Sequence, residues 1–258
     1  MTSSEQAAVF PDAMIFSKNS VTTVIDSPAR IEILKILVEG DQRFDELVKR
    51  LNKAKSTISV HLHDLIDAGI LAERTDETDA RRKYISLDCE YLGTIEQSDS
   101  SIFSDYRCIL PVTGQEPMRP ASVFRMIFNS VRTSLLQKGV NVEPVLFSAG
   151  FMAGEEIAKL VSADSMDKFL DNLYDFFLKN ELGEITVEKK GGPWVITVRN
   201  CYECQELPKI NRPACYFDSG MLSALFSIQT GEDITAKETN CYAMGDPFCR
   251  FVIERVRE

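Results

Sequence analysis

Five of the seven cysteines in this chain lie between positions 201 and 249, and a carboxylate accompanies them. The stretch ETNCYAMGDPFC places Glu238, Cys241 and Cys249 around a Gly-Asp-Pro turn, and Cys215 lies upstream. Thiolates and a carboxylate are ligands that bind zinc in tetrahedral sites. Clustered thiolates repel one another unless a cation holds them, which favours the same interpretation. We therefore predict a closed, structural zinc site formed by Cys215, Glu238, Cys241 and Cys249.

Other roles for the cysteines stay open. The predicted ligands could form a redox-active set without metal, or be small buried side chains, and Glu238 could instead be a salt-bridging acid or orient a ligand. Cys201 and Cys204 form a C-x-x-C motif in a predicted loop, where we predict a redox pair. Half of a metal site or unrelated surface thiols are the alternatives for this motif. Cys89 and Cys108 could form bridges between subunits or domains on oxidation.

Positions 27–87 carry the pattern of three helices and a hairpin. The segments SPARIEILKILVEG, RFDELVKRL and KSTISVHLHDLIDAG each repeat apolar residues at helical spacing. Ser27 and Ser56 are the predicted caps of the first and third helices. The segment ILAERTDETDARRKYISL is typical of two short strands around a polar turn. This order of elements is that of a winged helix-turn-helix, which forms the first of two predicted domains, residues 1–87.

The third helix and the hairpin carry the side chains that DNA contact requires. Hydroxyls and cations at a helix N-terminus suit phosphate oxygens and base edges in the major groove, and a basic hairpin suits the flanking backbone. A solvated charge run, or a winged helix that binds protein, is the alternative. The candidate DNA-binding residues are Lys53, Lys55, Ser56, Thr57, Ser59, His61, Arg74, Arg81, Arg82 and Lys83.

The charge balance limits where DNA could bind. The chain has a net charge of −10 and a pI near 4.9, and an acidic surface repels phosphate. Residues 26–87 hold 11 basic and 12 acidic side chains, whereas the remainder holds 18 and 27. DNA contact therefore has to come from the first third. The sequence shows neither a signal-peptide pattern nor an apolar run of membrane-spanning length, and with seven cysteines this predicts a reducing cytoplasm and no membrane partner.

The rest of the chain predicts a linker and a second domain. Residues 88–120 lose periodicity and are predicted to be a linker. Residues 121–258 show helical segments, a hairpin around Gly-Gly-Pro and two closing strands, which predicts an α+β domain with helices on an antiparallel sheet. Gly150 and Gly154 lie one turn apart and would allow close backbone packing of their helix.

The first domain resembles the ArsR-like winged-helix regulators. The matching stretches are STISVHLHDLIDAGIL and the basic ARRKYISL that follows it. The resemblance implies a homodimer that binds double-stranded promoter DNA at a two-fold site. His61 and His63 point about 200° apart on a helix, so they cannot chelate one metal together. The metal ligands of the ArsR family therefore have no clear counterpart in this region.

The second domain resembles the 4-vinyl reductase domain. The pattern E-x-x-C-x-x-x-G-D-x-x-C-x-F, from Glu238 to Phe251, matches the closing signature of that family. In its aromatic-responsive members, the Glu and two Cys of this pattern and one upstream Cys hold zinc, which implies the same ligand set predicted above. An ArsR-like region fused to this domain resembles the methanogen-specific redox-sensing transcription regulators of archaea.

These patterns together predict a transcription regulator, a repressor that also acts on its own promoter, whose C-terminal domain senses redox state. The alternative signal is a small hydrophobic ligand held by aromatic side chains of the second domain. An enzyme is disfavoured because that domain has no histidine and no nucleotide-binding glycine loop. The candidate aromatic residues are Phe151, Phe169, Tyr174, Phe177 and Trp194.

Overall fold

The computed structural model describes residues 11–75, 83–97, 119–189 and 192–256. The chain divides into two compact units, one of Met1–Gln97 with Gly139–Val142, the other of Ser98–Lys138 with Glu143–Glu258. Both units combine helices with antiparallel sheets, which confirms the predicted α+β class. Within the described residues, none of the helices has the length and apolar character needed to cross a membrane.

The first unit contains a four-stranded sheet that the sequence does not predict. Its strands are β1 (Ala13–Lys18), β2 (Val21–Ile25), β6 (Glu90–Ile95) and β7 (Val140–Asn141). Their order is β2-β1-β6-β7, and β6 lies inside the predicted linker of residues 88–120. Periodicity is weak there because Gly93 interrupts it; a Cβ at that position would lie 1.9 Å from the carbonyl oxygen of Asn141 in the neighbouring strand.

The first unit also contains the predicted winged helix-turn-helix. Its elements are α1 (Pro28–Val38), β3 (Gln42–Arg43), α2 (Phe44–Leu51), α3 (Lys55–Asp67), β4 (Leu71–Thr75) and β5 (Lys83–Leu87). The three helices pack around a core that includes the fully buried Leu34, Leu47 and Leu65, and an antiparallel sheet of order β3-β5-β4 completes it. Helix α3 begins after Ala54 and not after the predicted Ser56 cap, because the Ala54 carbonyl already accepts a hydrogen bond from the Ile58 N–H.

The second unit packs helices on an antiparallel sheet, as predicted. Its elements are α4 (Pro120–Gln137), α5 (Glu143–Val161), α6 (Met166–Lys179), β8 (Glu184–Glu188), β9 (Trp194–Arg199), α7 (Tyr216–Thr230), β10 (Ile234–Asn240) and β11 (Cys249–Arg255). The strand order is β10-β11-β9-β8. The core includes Phe169, Phe226 and Phe251, none of which is exposed, and the Phe169 and Phe226 rings meet edge to face.

Helices α5 and α7 approach so closely that only glycine fits between them. A Cβ added to Gly150 would lie 2.0 Å from the Phe217 carbonyl oxygen, and one added to Gly220 would lie 1.9 Å from the Phe147 carbonyl oxygen. This contact confirms the close packing predicted around Gly150. It also fixes the N-terminal end of α7, the end that Cys215 precedes.

We expect Gly220→Ala to lower the free energy of unfolding by about 1–3 kcal/mol or more, because the added Cβ forces two helix backbones apart. Chemical denaturation monitored by circular dichroism measures the change. Gly192→Ala is the matched control, since a Cβ there meets nothing within 4 Å. Equal stability of the two variants would contradict the close contact.

Candidate metal centre and DNA-binding face

The closing hairpin of the second unit positions two of the cysteines. Cys241 follows β10 and Cys249 begins β11, with a 3-10 turn, Tyr242–Met244, between them. Gly245 ends this turn at a φ of 99°, in the left-handed region. The Asp246 carboxylate then accepts a 3.0 Å hydrogen bond from the Cys241 N–H. The Gly-Asp-Pro sequence thus closes the turn that brings Cys241 and Cys249 to one place.

Five sulfur atoms meet in one buried cluster, which we call the cysteine cluster: Cys201, Cys204, Cys215, Cys241 and Cys249, all with no exposed surface. The Cys215 sulfur lies 3.6 Å from that of Cys201, 3.6 Å from that of Cys249 and 4.0 Å from that of Cys241. The Cys204 sulfur lies 3.2 Å from that of Cys249 and 3.6 Å from that of Cys241. Sulfur ligands about 2.3 Å from a tetrahedral zinc lie about 3.8 Å apart, so these spacings suit a metal.

The C-x-x-C motif belongs to this cluster and is not a separate surface site. Cys201 and Cys204 lie in the loop between β9 and α7, and that loop turns inward. Glu203 between them is fully buried and accepts hydrogen bonds from the N–H groups of Phe217 and Asp218, at 3.2 and 2.9 Å. The alternative of unrelated surface thiols is therefore wrong. Spacing along the sequence gave no signal that this loop folds back onto Cys215.

Glu238 presents one carboxylate oxygen that the described residues leave without a partner. Its Oε2 atom accepts hydrogen bonds of 2.9 Å from the N–H groups of Ala214 and Cys215. Its Oε1 atom is buried and has no hydrogen-bond partner among the described residues. Burial, followed by the nearby Cys241 charge, raises the pKa of Glu238 to about 9. A cation at this place would reverse that shift and satisfy Oε1.

The wider surroundings of the cluster are also acidic. Asp218 is fully buried, its Oδ1 atom finds no hydrogen-bond partner in the described part of the chain, and its Oδ2 atom accepts a 3.5 Å contact from the Cys201 thiol. Burial raises the pKa values of Cys215 and Asp218 well above their ordinary range. Ionised thiolates and carboxylates cannot share this space unless a cation balances them.

Donor atoms within 4.8 Å of one another form three sets in the described residues. The first is the predicted zinc set, and the second replaces its carboxylate and one thiol with the C-x-x-C motif. Four close cysteines could hold a metal ion, and so could three with Glu238. The sets are Cys215, Glu238, Cys241 and Cys249; Cys201, Cys204, Cys215 and Cys249; and Glu203, Cys215 and Asp218.

The predicted DNA-contacting hydroxyls lie at the exposed beginning of α3. Ser56, Thr57 and Ser59 are all exposed, as is Lys55, whose Nζ atom lies 3.8 Å from Asp45. These hydroxyls are accessible to a DNA groove. The other predicted cations within the described residues form ion pairs with acids of the same unit: Lys53 with Glu32, Arg74 with Asp41 at 2.7 Å, and Lys83 with Glu73 at 2.6 Å.

Three further residues of the predicted DNA-binding set need separate placement. Arg81 and Arg82 lie outside the described residues. His61 is half-buried, and its Nδ1 atom is buried without a hydrogen-bond partner in the described residues. His63 is exposed instead and lines an open cleft together with Ser59. The four-residue spacing of Ser59 and His63 on one helix could have identified His63 from sequence.

Relatives of this chain occur in the archaeon Methanocaldococcus jannaschii. One uncharacterised protein of that organism is 25% identical over 130 residues, covering 50% of this chain and 73% of its own. Another is 26% identical over 241 residues, covering 90% of this chain and 92% of its own.

Solved structures with similarity to this chain include an enzyme-family protein and a sensory domain. One is a vinyl-4-reductase family protein from Methanocaldococcus jannaschii, at 15% identity and a TM-score of 0.40, covering 62% of this chain and 89% of that one. The other is the phenol-responsive sensory domain of the transcription activator PoxR with phenol, at 15% identity and a TM-score of 0.42, covering 75% and 88%.

Two family models match separate parts of the chain. Residues 27–73 match the bacterial regulatory protein, arsR family, and these residues include all of α1, α2 and α3. Residues 194–255 match the 4-vinyl reductase domain, and these residues include the whole cysteine cluster. The chain therefore combines an ArsR-type helix-turn-helix region with a 4-vinyl reductase domain, as the sequence predicts.

The two four-donor sets make opposite predictions for metal content. With Glu238 as a ligand, Glu238→Gln and Cys241→Ser should lose most of the metal, whereas Cys201→Ser and Cys204→Ser should retain it. Cys249→Ser should lose metal in either case and destabilise the second unit, because the binding energy of a structural zinc site is also folding energy. Elemental analysis of protein purified without chelator measures metal per chain.

Cys89→Ser is the matched control, since Cys89 lies in the first unit with its thiol on the Ile70 carbonyl. It should keep the wild-type metal content. The ligand assignment fails if the Cys201 or Cys204 variant loses the metal while the Glu238 and Cys241 variants retain it.

Proposed function

We propose that this protein is a DNA-binding transcription regulator, a repressor that also acts on its own promoter, and that its 4-vinyl reductase domain holds zinc and senses redox state. The observation that carries the proposal is the cysteine cluster: five buried sulfur atoms and the Glu238 carboxylate lie together in the region that matches this domain. The ArsR-type region on the same chain supplies the DNA-binding part.

Zinc is the metal that these donors suit best. Thiolates select zinc or other soft metals, and a carboxylate completes a tetrahedral set. We assign the ligands to Cys215, Glu238, Cys241 and Cys249, because the Oε1 atom of Glu238 is buried and has no other partner within the described residues. Four protein ligands close the coordination sphere, which favours a structural rather than a catalytic ion.

This assignment leaves Cys201 and Cys204 as thiols beside the metal ligands. The Cys204 sulfur is 3.2 Å from that of Cys249, and the Cys201 sulfur is 3.6 Å from that of Cys215. Two thiols that lose two electrons form one S–S bond; with hydrogen peroxide as oxidant, their two protons and the peroxide give two water molecules. A disulfide that includes Cys249 or Cys215 removes a zinc ligand, so oxidation also weakens metal binding.

Oxidation of the cluster has to alter how the helix-turn-helix regions are held. A helix-turn-helix dimer contacts two half-sites at a fixed spacing, so a small change in the separation of its recognition helices weakens binding. A local change of bonding acts on a distant site only by favouring one of two arrangements of the whole protein. We propose that the reduced arrangement binds the promoter more tightly.

The alternative signal, a small hydrophobic ligand, has less support from the described residues. Phe169 and Phe177 are fully buried in the core of the second unit, whereas Tyr174 is 45% exposed. Trp194 lines an open cleft instead. The proposal is also for a regulator and not for an enzyme, because His61 and His63 of the DNA-binding region are the histidines of this sequence.

The exposed hydroxyls of α3 and the basic turn of the wing give a test of DNA binding. Thr57→Ala and Ser59→Ala should weaken binding to the promoter upstream of the protein's own gene by about tenfold, since each removes a groove contact. Arg81→Ala with Arg82→Ala should weaken binding to all sequences and reduce the salt slope by about one unit for each lost phosphate contact. Fluorescence anisotropy over a salt series measures both.

Lys237→Ala provides the control for loss of one positive charge, because Lys237 is exposed on β10 of the second unit. Its binding should equal that of the wild type. Wild-type affinity and salt slope in the Arg81/Arg82 variant would show that the wing does not touch DNA.

Redox control of DNA binding is tested by a double variant. Wild-type protein should bind promoter DNA more tightly when reduced than after peroxide treatment, and a dithiol should restore the tight binding. Cys201→Ser with Cys204→Ser should stay in the reduced behaviour after peroxide treatment while keeping its zinc, because both thiols that attack or pair with the ligands are gone. Electrophoretic mobility shift with parallel zinc analysis measures both properties.

Cys89→Ser should switch like the wild type and serves as the control. If the double variant responds fully to peroxide, the switch does not lie in the C-x-x-C motif. If the wild type binds DNA equally well in both states, the redox proposal fails and the small-ligand alternative takes its place.

A further inference from the structure

Helix α4 buries its polar side and exposes its apolar side. Its buried residues are Asn129, Arg132 and Thr133. Large apolar side chains on the opposite side are exposed: Phe124 by 66%, Ile127 by 53% and Val131 by 58%. The three recur at i, i+3 and i+7, which forms one stripe along a helix. We call these three residues the α4 stripe. An amphipathic helix normally faces the other way, so the stripe requires an explanation.

A buried ion pair prevents the helix from turning its apolar side inward. The Arg132 guanidinium contacts the Glu203 carboxylate at 3.2 Å and donates a second hydrogen bond to the Ala214 carbonyl. Both side chains of the pair are almost fully buried, at 5% and 0% exposure. Rotating α4 would leave the Glu203 charge buried without its partner, which is strongly unfavourable. The stripe is therefore held outward.

The outer side of α4 also lacks charge. The charged residues of this helix are Arg125 and Arg132, and Arg125 is half-buried with its guanidinium 3.5 Å from Glu206. The helix has 18 residues and so spans about 27 Å. The whole chain carries a net charge of −10, so two copies repel each other over most of their surfaces. An uncharged apolar stripe is where a second copy meets the least repulsion.

We propose that the α4 stripe binds the same stripe on a second copy of this chain, with the two α4 helices crossing around a two-fold axis near Ile127. Isologous contacts of this kind bury the same patch from both copies. Apolar residues at i, i+3 and i+7 pack in this way between paired helices. A dimer is also what the ArsR-type region requires, because helix-turn-helix proteins of this kind read two half-sites. This contact is independent of the zinc assignment.

Charge variants of Ile127 test the pairing in the full-length protein. The wild type should sediment as a dimer at micromolar concentration, whereas Ile127→Glu and Ile127→Lys should each raise the dimer dissociation constant at least tenfold, because like charges meet at the axis. An equimolar mixture of the two variants should regain the dimer, since opposite charges then face each other. Sedimentation velocity measures the three samples.

Leu160→Glu is the control, because Leu160 is 73% exposed on α5 and lies outside the stripe. It should stay dimeric. Wild-type circular dichroism and metal content in the Ile127 variants show that they are folded. The proposal is overturned if the wild type is monomeric, or if the Ile127 variants dimerise like the wild type. A mixture that stays monomeric also overturns it, because another part of the same chain then covers the stripe.

Discussion

The second unit depends on how a group of buried acids and thiols is neutralised. Five sulfur atoms and the Glu238 carboxylate lie within a few ångström of one another with almost no access to water. Ionised, they repel one another and lack solvation; protonated, they leave the Glu238 Oε1 atom without a hydrogen bond within the described residues. A divalent cation resolves both difficulties at once, because it attracts the thiolates and accepts the free carboxylate oxygen as a ligand.

The surrounding elements serve to bring these donors together. The β10–β11 hairpin supplies Cys241 and Cys249, and the glycine contact between α5 and α7 fixes the helix end next to Cys215. The loop of Cys201 and Cys204 is held inward by Glu203, which bonds the N–H groups at the beginning of α7 and also pairs with Arg132 of α4. The cysteine cluster and the helix that we propose for dimer contact therefore share one buried acid. A change in that loop has a direct physical route to α4.

Local patterns in the sequence were sufficient for most elements and for part of the site. Helical spacing predicted α1 to α3 and the helices of the second unit, and alternation predicted both of its hairpins. The strand β6 was missed because Gly93 breaks its pattern, and its partner β7 lies about 45 residues away. Cys201 and Cys204 could not be placed in the cluster, because a loop reveals no periodicity and its inward turn depends on the buried Glu203. The inverted exposure of α4 was hidden for the same reason, since the Arg132–Glu203 pair joins residues 71 positions apart.

X-ray absorption at the zinc edge of anaerobically purified, full-length protein tests the central claim most directly. The account predicts one zinc per chain with three sulfur neighbours at about 2.3 Å and one oxygen at about 2.0–2.2 Å, the last from Glu238. Four sulfur neighbours would transfer the site to the C-x-x-C motif and contradict the assignment of Glu238. Protein without a metal ion, or zinc surrounded by oxygen and nitrogen alone, would contradict a metal centre in the cysteine cluster.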